Sequence, residues 1–304
     1  MREKVLFQTR LEEQGCQARI VSIQHLRDLQ EEIEGRHGQG LFDEEFYQER
    51  LAGFAFSPPD SLPGARSLIV VAVPQPQFRV IFTWKGKRVP LIVPPTYLYS
   101  RETDKQVEDL LAGILVPAEY HVARATVPKK LLAVRSGLGE YGKNNICYIP
   151  GMGSFHRLVA FYSDLPCQED NWRESQMMES CQNCSACLRN CPTDAITSER
   201  FLLRAERCIT FHNERPGDVP FPAWLDPSWH NCLVGCLRCQ SICPENRDFL
   251  PWVEEREGLS QDEITLLREG VPLDQLPAAT VTKLEQLDLV EDVGILPRNL
   301  SVFL

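Results

Sequence analysis

The sequence lacks any apolar run long enough to span a bilayer: the longest, Leu68 to Pro74, is the length of a strand. Its opening residues, MREKVLFQTRLEEQGCQARI, are charged too densely for the apolar centre of a signal peptide, so a cytoplasmic protein with no membrane contact is expected. There is no G-x-G-x-x-G following a strand, no P-loop and no G-x-S-x-G, which argues against nicotinamide, nucleoside-triphosphate and serine-hydrolase chemistry. Positive charge is also short. The net charge of −10 repels phosphate backbones, and on that ground tRNA is not expected as a partner.

Cysteine, by contrast, is plentiful. Of the twelve, Cys16, Cys147 and Cys167 stand alone and read as buried free thiols, while nine lie between Cys181 and Cys243. Disulfides need an oxidising compartment, and nothing in the sequence points to export, so the cluster reads as metal-binding. The run CQNCSACLRNCP, Cys181 to Pro192, is C-x2-C-x2-C-x3-C-P, the bacterial ferredoxin spacing for [4Fe–4S] clusters. Three closely spaced thiolates wrap one cubane, and the fourth is carried away to a second. A partial repeat, Cys236, Cys239 and Cys243-Pro244, has the same C-x2-C-x3-C-P ending but lacks its upstream cysteine. Cys208, after a helical-looking segment Ser198–Glu206, is the natural replacement, with Cys232 as its rival. The crossover of the fourth ligand then assigns Cys181, Cys184, Cys187 and Cys243 to the first cluster, and Cys191, Cys208, Cys236 and Cys239 to the second, leaving Cys232 spare. Two zinc sites are the alternative, but zinc ribbons use paired C-x2-C units and seldom this third cysteine with x3-C-P.

Around this module the chain reads as four segments: a mainly helical 1–60, an α/β ligand-binding domain 61–167, the double-cluster module 168–250 and a helical tail 251–304. Helices are expected near Ile23–Ile33, Asp43–Leu51, Asp104–Leu115 and Pro128–Val134. Strands are expected at Ser67–Val73, Ile146–Ile149 and Arg157–Tyr162, and a hairpin at Arg79–Thr83 and Val89–Val93. Ser260 to Glu263 has the form of a capping box.

A second informative stretch, Pro128 to Asn144, places Arg135, Gly137, Gly139, Tyr141, Gly142, Lys143 and Asn144 in one loop. Three glycines in six residues let a backbone pass close to a ligand or turn sharply. This stretch resembles the "AxRAGLGWxGKNT" run of epoxyqueuosine reductases, and the likeness continues through Gly153, Ser154 and Phe155 to Ser163-Asp164-Leu165-Pro166 and into both cysteine motifs. It covers roughly residues 60–250, and the isolated ligand of that family matches Cys208.

The resemblance implies an α/β (α+β) flavin-reductase-like, cobalamin-binding domain carrying a two-cluster ferredoxin-like module, as also in reductive dehalogenases. It implies electron flow from a ferredoxin- or flavodoxin-like donor through two [4Fe–4S] clusters to cobalamin, or alternatively FMN, and a small organic substrate. Cofactor contacts are then expected at Arg135, Gly137, Gly139, Gly142, Lys143, Asn144, Ser154 and His156, with Tyr141 as a proton donor. Each has a plainer reading as a turn glycine, a solvated lysine or a packed ring. Two departures weaken the full match. The family has an aspartate, its general acid, just ahead of the proline matching Pro128, but residues 123–127 here read ARATV, with no carboxylate. Its C-terminal repeat helices are reduced to the tail. A corrinoid-protein partner without its own catalytic acid, acting by electron transfer alone, is therefore the competing expectation.

Overall fold

The computed structural model describes residues 2–98 and 100–304. Among these, nine strands follow in chain order: β1 (Gln17–Ser22), β2 (Ser67–Pro74), β3 (Gln77–Trp84), β4 (Lys87–Val93), β5 (Val122–Arg124), β6 (Glu140–Tyr141), β7 (Cys147–Tyr148), β8 (His156–Ser163) and β9 (Val253–Arg256). The helices are α1 (Arg2–Glu13), α2 (His25–Gly38), α3 (Glu44–Arg50), α4 (Ser100–Leu115), α5 (Lys129–Arg135), α6 (Ala186–Asn190), α7 (Ile209–Asn213), α8 (Arg238–Ser241), α9 (Gln261–Arg268), α10 (Ala278–Gln286) and α11 (Leu296–Leu300). No helix among the described residues is long and apolar enough to cross a membrane. The chain divides into two compact units, Met1–Pro74 with Ser100–Ser185, and Gln75–Tyr99 with Ala186–Leu304.

The first unit is built on an antiparallel sheet of order β1-β2-β8-β5. Its central strand β2 buries Ser67 to Ala72 without alternation, because both faces are covered. On one face α1 and α4 supply Phe7, Leu11, Val107 and Leu111 against Ile69, Val71, Val159 and Phe161. In α4 the buried Val107, Leu111 and Leu115 recur every four residues, the period of a helix with one apolar stripe. The opening segment is less helical than its sequence suggests. Gln17 to Ser22 forms an edge strand, paired from Gln17↔Ala72 to Ser22↔Ser67.

The second unit has its own core. The hairpin β3–β4 turns at Lys85 and Gly86, both at positive φ (47° and 74°), as a two-residue loop between twisted strands requires. β9 adds to β3 in parallel. Phe78, Val80, Phe82, Leu91 and Val93 of the hairpin pack with Ile264, Leu267, Leu284, Leu287, Leu296 and Leu300 of the C-terminal helices. The compact units therefore follow a different division from the four sequence segments, with residues 75–99 grouped with 186–304. The capping box forms: the Glu263 N–H donates to Ser260 Oγ at 3.3 Å, and the Ser260 N–H to Glu263 Oε2 at 2.7 Å. The helix expected over Ser198–Glu206 does not form. The Arg204 N–H donates to the Ala195 carbonyl at 2.7 Å, nine residues back, so the segment is a loop ending in one 3₁₀ turn, Ala205–Arg207.

Candidate functional site

In the first unit the glycine loop grows out of α5, whose Leu131 to Val134 are all buried. Gly137, at φ 73°, ends the helix, and the Leu138 and Gly139 N–H groups fold back onto the Ala133 carbonyl. The chain then forms the ribbon β6–β7, pairing Glu140↔Tyr148 and Tyr141↔Cys147. A Cβ at Gly139 would lie 2.5 Å from the Tyr148 carbonyl oxygen and 2.9 Å from Cys147 Sγ. One at Gly142 would lie 2.5 Å from Asn144 Oδ1 and 2.6 Å from the Tyr148 ring. These two glycines thus serve the close approach of the loop to its own ribbon.

That ribbon leads to the cysteines. The Tyr141 N–H donates to the Gln176 carbonyl at 2.8 Å, and the Met178 N–H to the Tyr141 carbonyl at 2.9 Å, which sets the chain entering Cys181. The Lys143 backbone N–H donates to Cys181 Sγ at 3.4 Å, and its Nζ to the Cys184 carbonyl at 2.8 Å. Lys143 was expected to contact a cofactor anion, and its role as a clamp on the first two thiols had no sequence signal beyond its place after the glycines.

The other candidates of this unit divide between engaged and buried. Arg135 Nη1 is bound to Glu174 at 3.0 Å and Glu32 at 3.4 Å, with its guanidinium 5.1 Å from the Trp172 ring centroid. Asn144 is buried and donates to the Tyr148 hydroxyl at 2.9 Å. Ser154 and His156 are buried. Burial pulls the His156 imidazole down to about 4, against a Gly153 backbone hydrogen bond that raises it, and its Nδ1 has no partner. The Tyr141 phenol is pushed far up, first by burial and then by Cys147. Residues 123–127 bring no carboxylate; the Ala125 N–H donates to the Ala160 carbonyl at 2.9 Å. Among the isolated cysteines, Cys16 and Cys147 are buried, but Cys167 is partly exposed.

In the second unit Cys191, Cys208, Cys236 and Cys239 come together. Cys208 stands at the N-cap of α7, where burial raises its thiol against the opposing influence of the Thr210 and Phe211 backbone. Cys236 lies two residues ahead of α8, and the Arg238 backbone opposes the rise that burial gives its thiol. The Asn190 amide donates to the Arg238 carbonyl at 2.6 Å, tying the helix after the first motif to the helix of the second. Burial, then Cys236, Cys208, Cys191 and Cys187 in turn, push the Cys239 thiol well above its usual value. Burial likewise holds Cys236 up to about 12, with Cys208 and Cys191 adding to it.

Four partly buried thiols gathered in one unit suit a cationic iron core that draws off their protons. Among the described residues no three Cys, His, Asp or Glu side chains gather tightly enough for one ion, whereas a cubane seats each thiolate on its own iron. Cys232 is fully buried, and burial and then Cys236 push its thiol well above the usual value. Of the first cluster's expected ligands, Cys181 and Cys184 belong to the first unit, and Cys187 and Cys243 to the second.

Residues with no motif of their own surround this group. The Tyr97 hydroxyl donates to Glu214 Oε1. Its ring covers Gly235, where a Cβ would lie 2.7 Å from both the hydroxyl oxygen and Cε2, and Gly235 is at φ 68°. The glycine just before Cys236 was the one sequence trace of this contact.

Comparison with known proteins agrees with this picture. The family described as the 4Fe-4S double cluster binding domain matches residues 180–246. An epoxyqueuosine reductase of Staphylococcus aureus is 27% identical over 248 residues, 79% of this chain and 61% of that protein. The chain thus spans about three-fifths of that relative's length. The structure of epoxyqueuosine reductase from Streptococcus thermophilus aligns with a TM-score of 0.67 at 19% identity, covering 99% of this chain and 80% of that one. An epoxyqueuosine reductase crystallised with a tRNA-Tyr epoxyqueuosine-modified stem loop aligns with a TM-score of 0.65 at 22% identity, over 99% of this chain and 80% of that chain. The mixed α/β fold with a double-cluster domain is therefore shared. The stem-loop complex also overturns the expectation that tRNA plays no part. A protein of this fold takes tRNA, and a whole-chain charge of −10 says nothing of the potential over one face.

Proposed function

We propose that the chain is a divergent member of the epoxyqueuosine reductase-like family, an iron–sulfur oxidoreductase feeding electrons to a ligand held by its first unit. Two [4Fe–4S] clusters supply low-potential, one-electron transfer when bound. In this reading Cys181, Cys184, Cys187 and Cys243 hold one and Cys191, Cys208, Cys236 and Cys239 the other. The observation that carries it is the gathering of Cys191, Cys208, Cys236 and Cys239 in the second unit, where the Asn190 amide joins the helix of the first motif to that of the second at 2.6 Å.

The residues of the first unit suit a bound cofactor, with cobalamin the first candidate and FMN the second. His156 offers a buried Nδ1 with no protein partner, two residues from the buried Ser154. A neutral imidazole there donates or accepts a hydrogen bond without adding charge. Tyr141, kept protonated by burial, is a proton source rather than a base. A tRNA-borne substrate stands among the candidates, supported by the stem-loop complex of the related protein. The missing carboxylate at residues 123–127 favours a second reading, in which the chain reactivates a corrinoid protein by electron transfer and protonates nothing itself.

Anaerobic purification with metal analysis tests the first claim: about eight irons per chain are expected of two cubanes, and zinc in their place would end the reading. Spectral titration with cobalamin and with FMN tests the second. One-to-one binding of either supports the oxidoreductase, and binding of neither leaves the electron-transfer partner. Nucleoside analysis of epoxyqueuosine-containing tRNA after incubation with reduced protein tests the tRNA candidate.

A further inference from the structure

The C-terminal helix α11 is wired into the segments that carry the second group of thiols. Arg298 spends its whole guanidinium on this: Nη1 donates to the Pro216 carbonyl at 3.0 Å and the Val219 carbonyl at 2.8 Å, Nη2 to the Asn213 carbonyl at 3.0 Å, and Nε and Nη2 to Asn299 Oδ1 at 3.1 and 3.0 Å. Asn299, buried, turns its amide to the Asn213 carbonyl and the Leu233 carbonyl, both at 2.9 Å. Asn213, the last residue of the helix that Cys208 opens, is buried and donates to the Gly235 carbonyl at 2.8 Å and the Cys232 carbonyl at 3.5 Å. A Cβ at Gly217 would fall 2.0 Å from the Gly294 carbonyl oxygen, so the two backbones pass in contact. Two separate arms, the one after Cys208 and the turn before Cys236, are thereby fixed to one another through side chains some 60 residues further on.

We propose that Arg298 and Asn299 are positioning residues of the second cluster, holding the Cys208 arm and the Cys236 turn at the separation a cubane needs. This rests on the reading that Cys191, Cys208, Cys236 and Cys239 hold that cluster. Outer-shell groups of this kind fix ligand orientation and tune the metal. Arg298 does so with a formal positive charge two hydrogen bonds from Gly235, through Asn213, and a cation near a cluster favours its reduced, more negative state. Leu296 and Leu300 of the same helix are fully buried in the apolar core, so the helix keeps its seat when Arg298 or Asn299 is replaced.

The test uses the full chain, purified without oxygen, as wild type and as Cys191→Ala, Arg298→Gln, Arg298→Lys and Asn299→Ala. Iron content, unfolding midpoint and potentiometric titration followed by electron paramagnetic resonance are read for each. The signal missing from Cys191→Ala marks the second cluster. In Arg298→Gln that signal is expected at a more negative potential with an altered line shape, the other cluster being unmoved. Arg298→Lys keeps the charge but not the fork, and should recover potential more than line shape. Asn299→Ala should alter the line shape alone. Signals and potentials like those of the wild type in every Arg298 and Asn299 variant would overturn the proposal, as would loss of both clusters together with a collapsed unfolding midpoint. A wild-type chain with far fewer than about eight irons would instead remove the cluster reading, and the proposal with it.

Discussion

The two cysteine motifs look alike in sequence but are held in different ways. The thiols of Cys181 and Cys184 are steadied from a loop some 40 residues earlier, through a backbone N–H and one lysine on a glycine-shaped ribbon. Those of Cys208 and Cys236 are steadied by long side chains from both directions: Tyr97 far upstream, Arg298 and Asn299 far downstream. A spacing rule written in a dozen residues describes most of the expected ligands, Cys208 excepted. It says nothing about which part of the chain keeps them in place, and here that part differs completely between the halves.

The largest effect that could break this contrast comes from the two rival cysteines. Cys208→Ser is expected to remove about four of about eight irons, while Cys232→Ser should keep them all, as iron analysis would reveal. The opposite pattern would hand the ligand role to Cys232. Next in size is an acid response from the first unit. The unfolded chain binds a proton on His156 near its ordinary 6.5, whereas the buried ring resists until about 4, so stability should fall as pH drops through this window, by up to about 3 kcal/mol. Denaturant midpoints between pH 7 and 4.5 should drop less steeply in His156→Phe than in wild type. An equal slope would show that the ring does not stay neutral.

Smaller again is Gly139→Ala. Its new methyl meets a backbone carbonyl at 2.5 Å, which cannot swing aside as a side chain would, and overpacking of this kind costs about 1–3 kcal/mol. A lowered thermal midpoint, with the first cluster lost before the second on standing in air, would tie the ribbon to its own half. The smallest expected change is in Lys143→Met. Losing the ammonium beside the Cys184 carbonyl should move the first cluster to a more negative potential and leave the second untouched. A shift in both would mean that the halves do not have separate supports.

Much of this was open to reading in the chain itself. The hairpin, β2, β8, α5 and the capping box fall close to where local chemistry placed them, since each depends on neighbours within a few residues. The edge strand at Gln17–Ser22 escaped because its partner lies 50 residues on and its own pattern is weak. Ser198–Glu206 has helical composition, but a backbone bond from Arg204 to Ala195 takes precedence over propensity. The grouping of the hairpin with the C-terminal helices was invisible, because an apolar strand face carries no label for the core it will join. At the candidate site spacing drew attention to the thiols and the glycine motif to Lys143, whereas Tyr97, Arg298 and Asn299 have no motif around them and gave no sign of their contacts.

The discontinuous second unit has a consequence for how the protein is made. Its hairpin leaves the ribosome early, its cysteines midway, and Leu296, Arg298, Asn299 and Leu300 close to the end. At typical translation speeds of about 5–20 residues per second, the stretch from Cys191 to Leu300 takes on the order of ten seconds to appear. Until that stretch is made, the thiols that have emerged lack the braces that would seat them. On the cluster reading, seating of the second cubane therefore waits for the segment that carries Arg298 and Asn299.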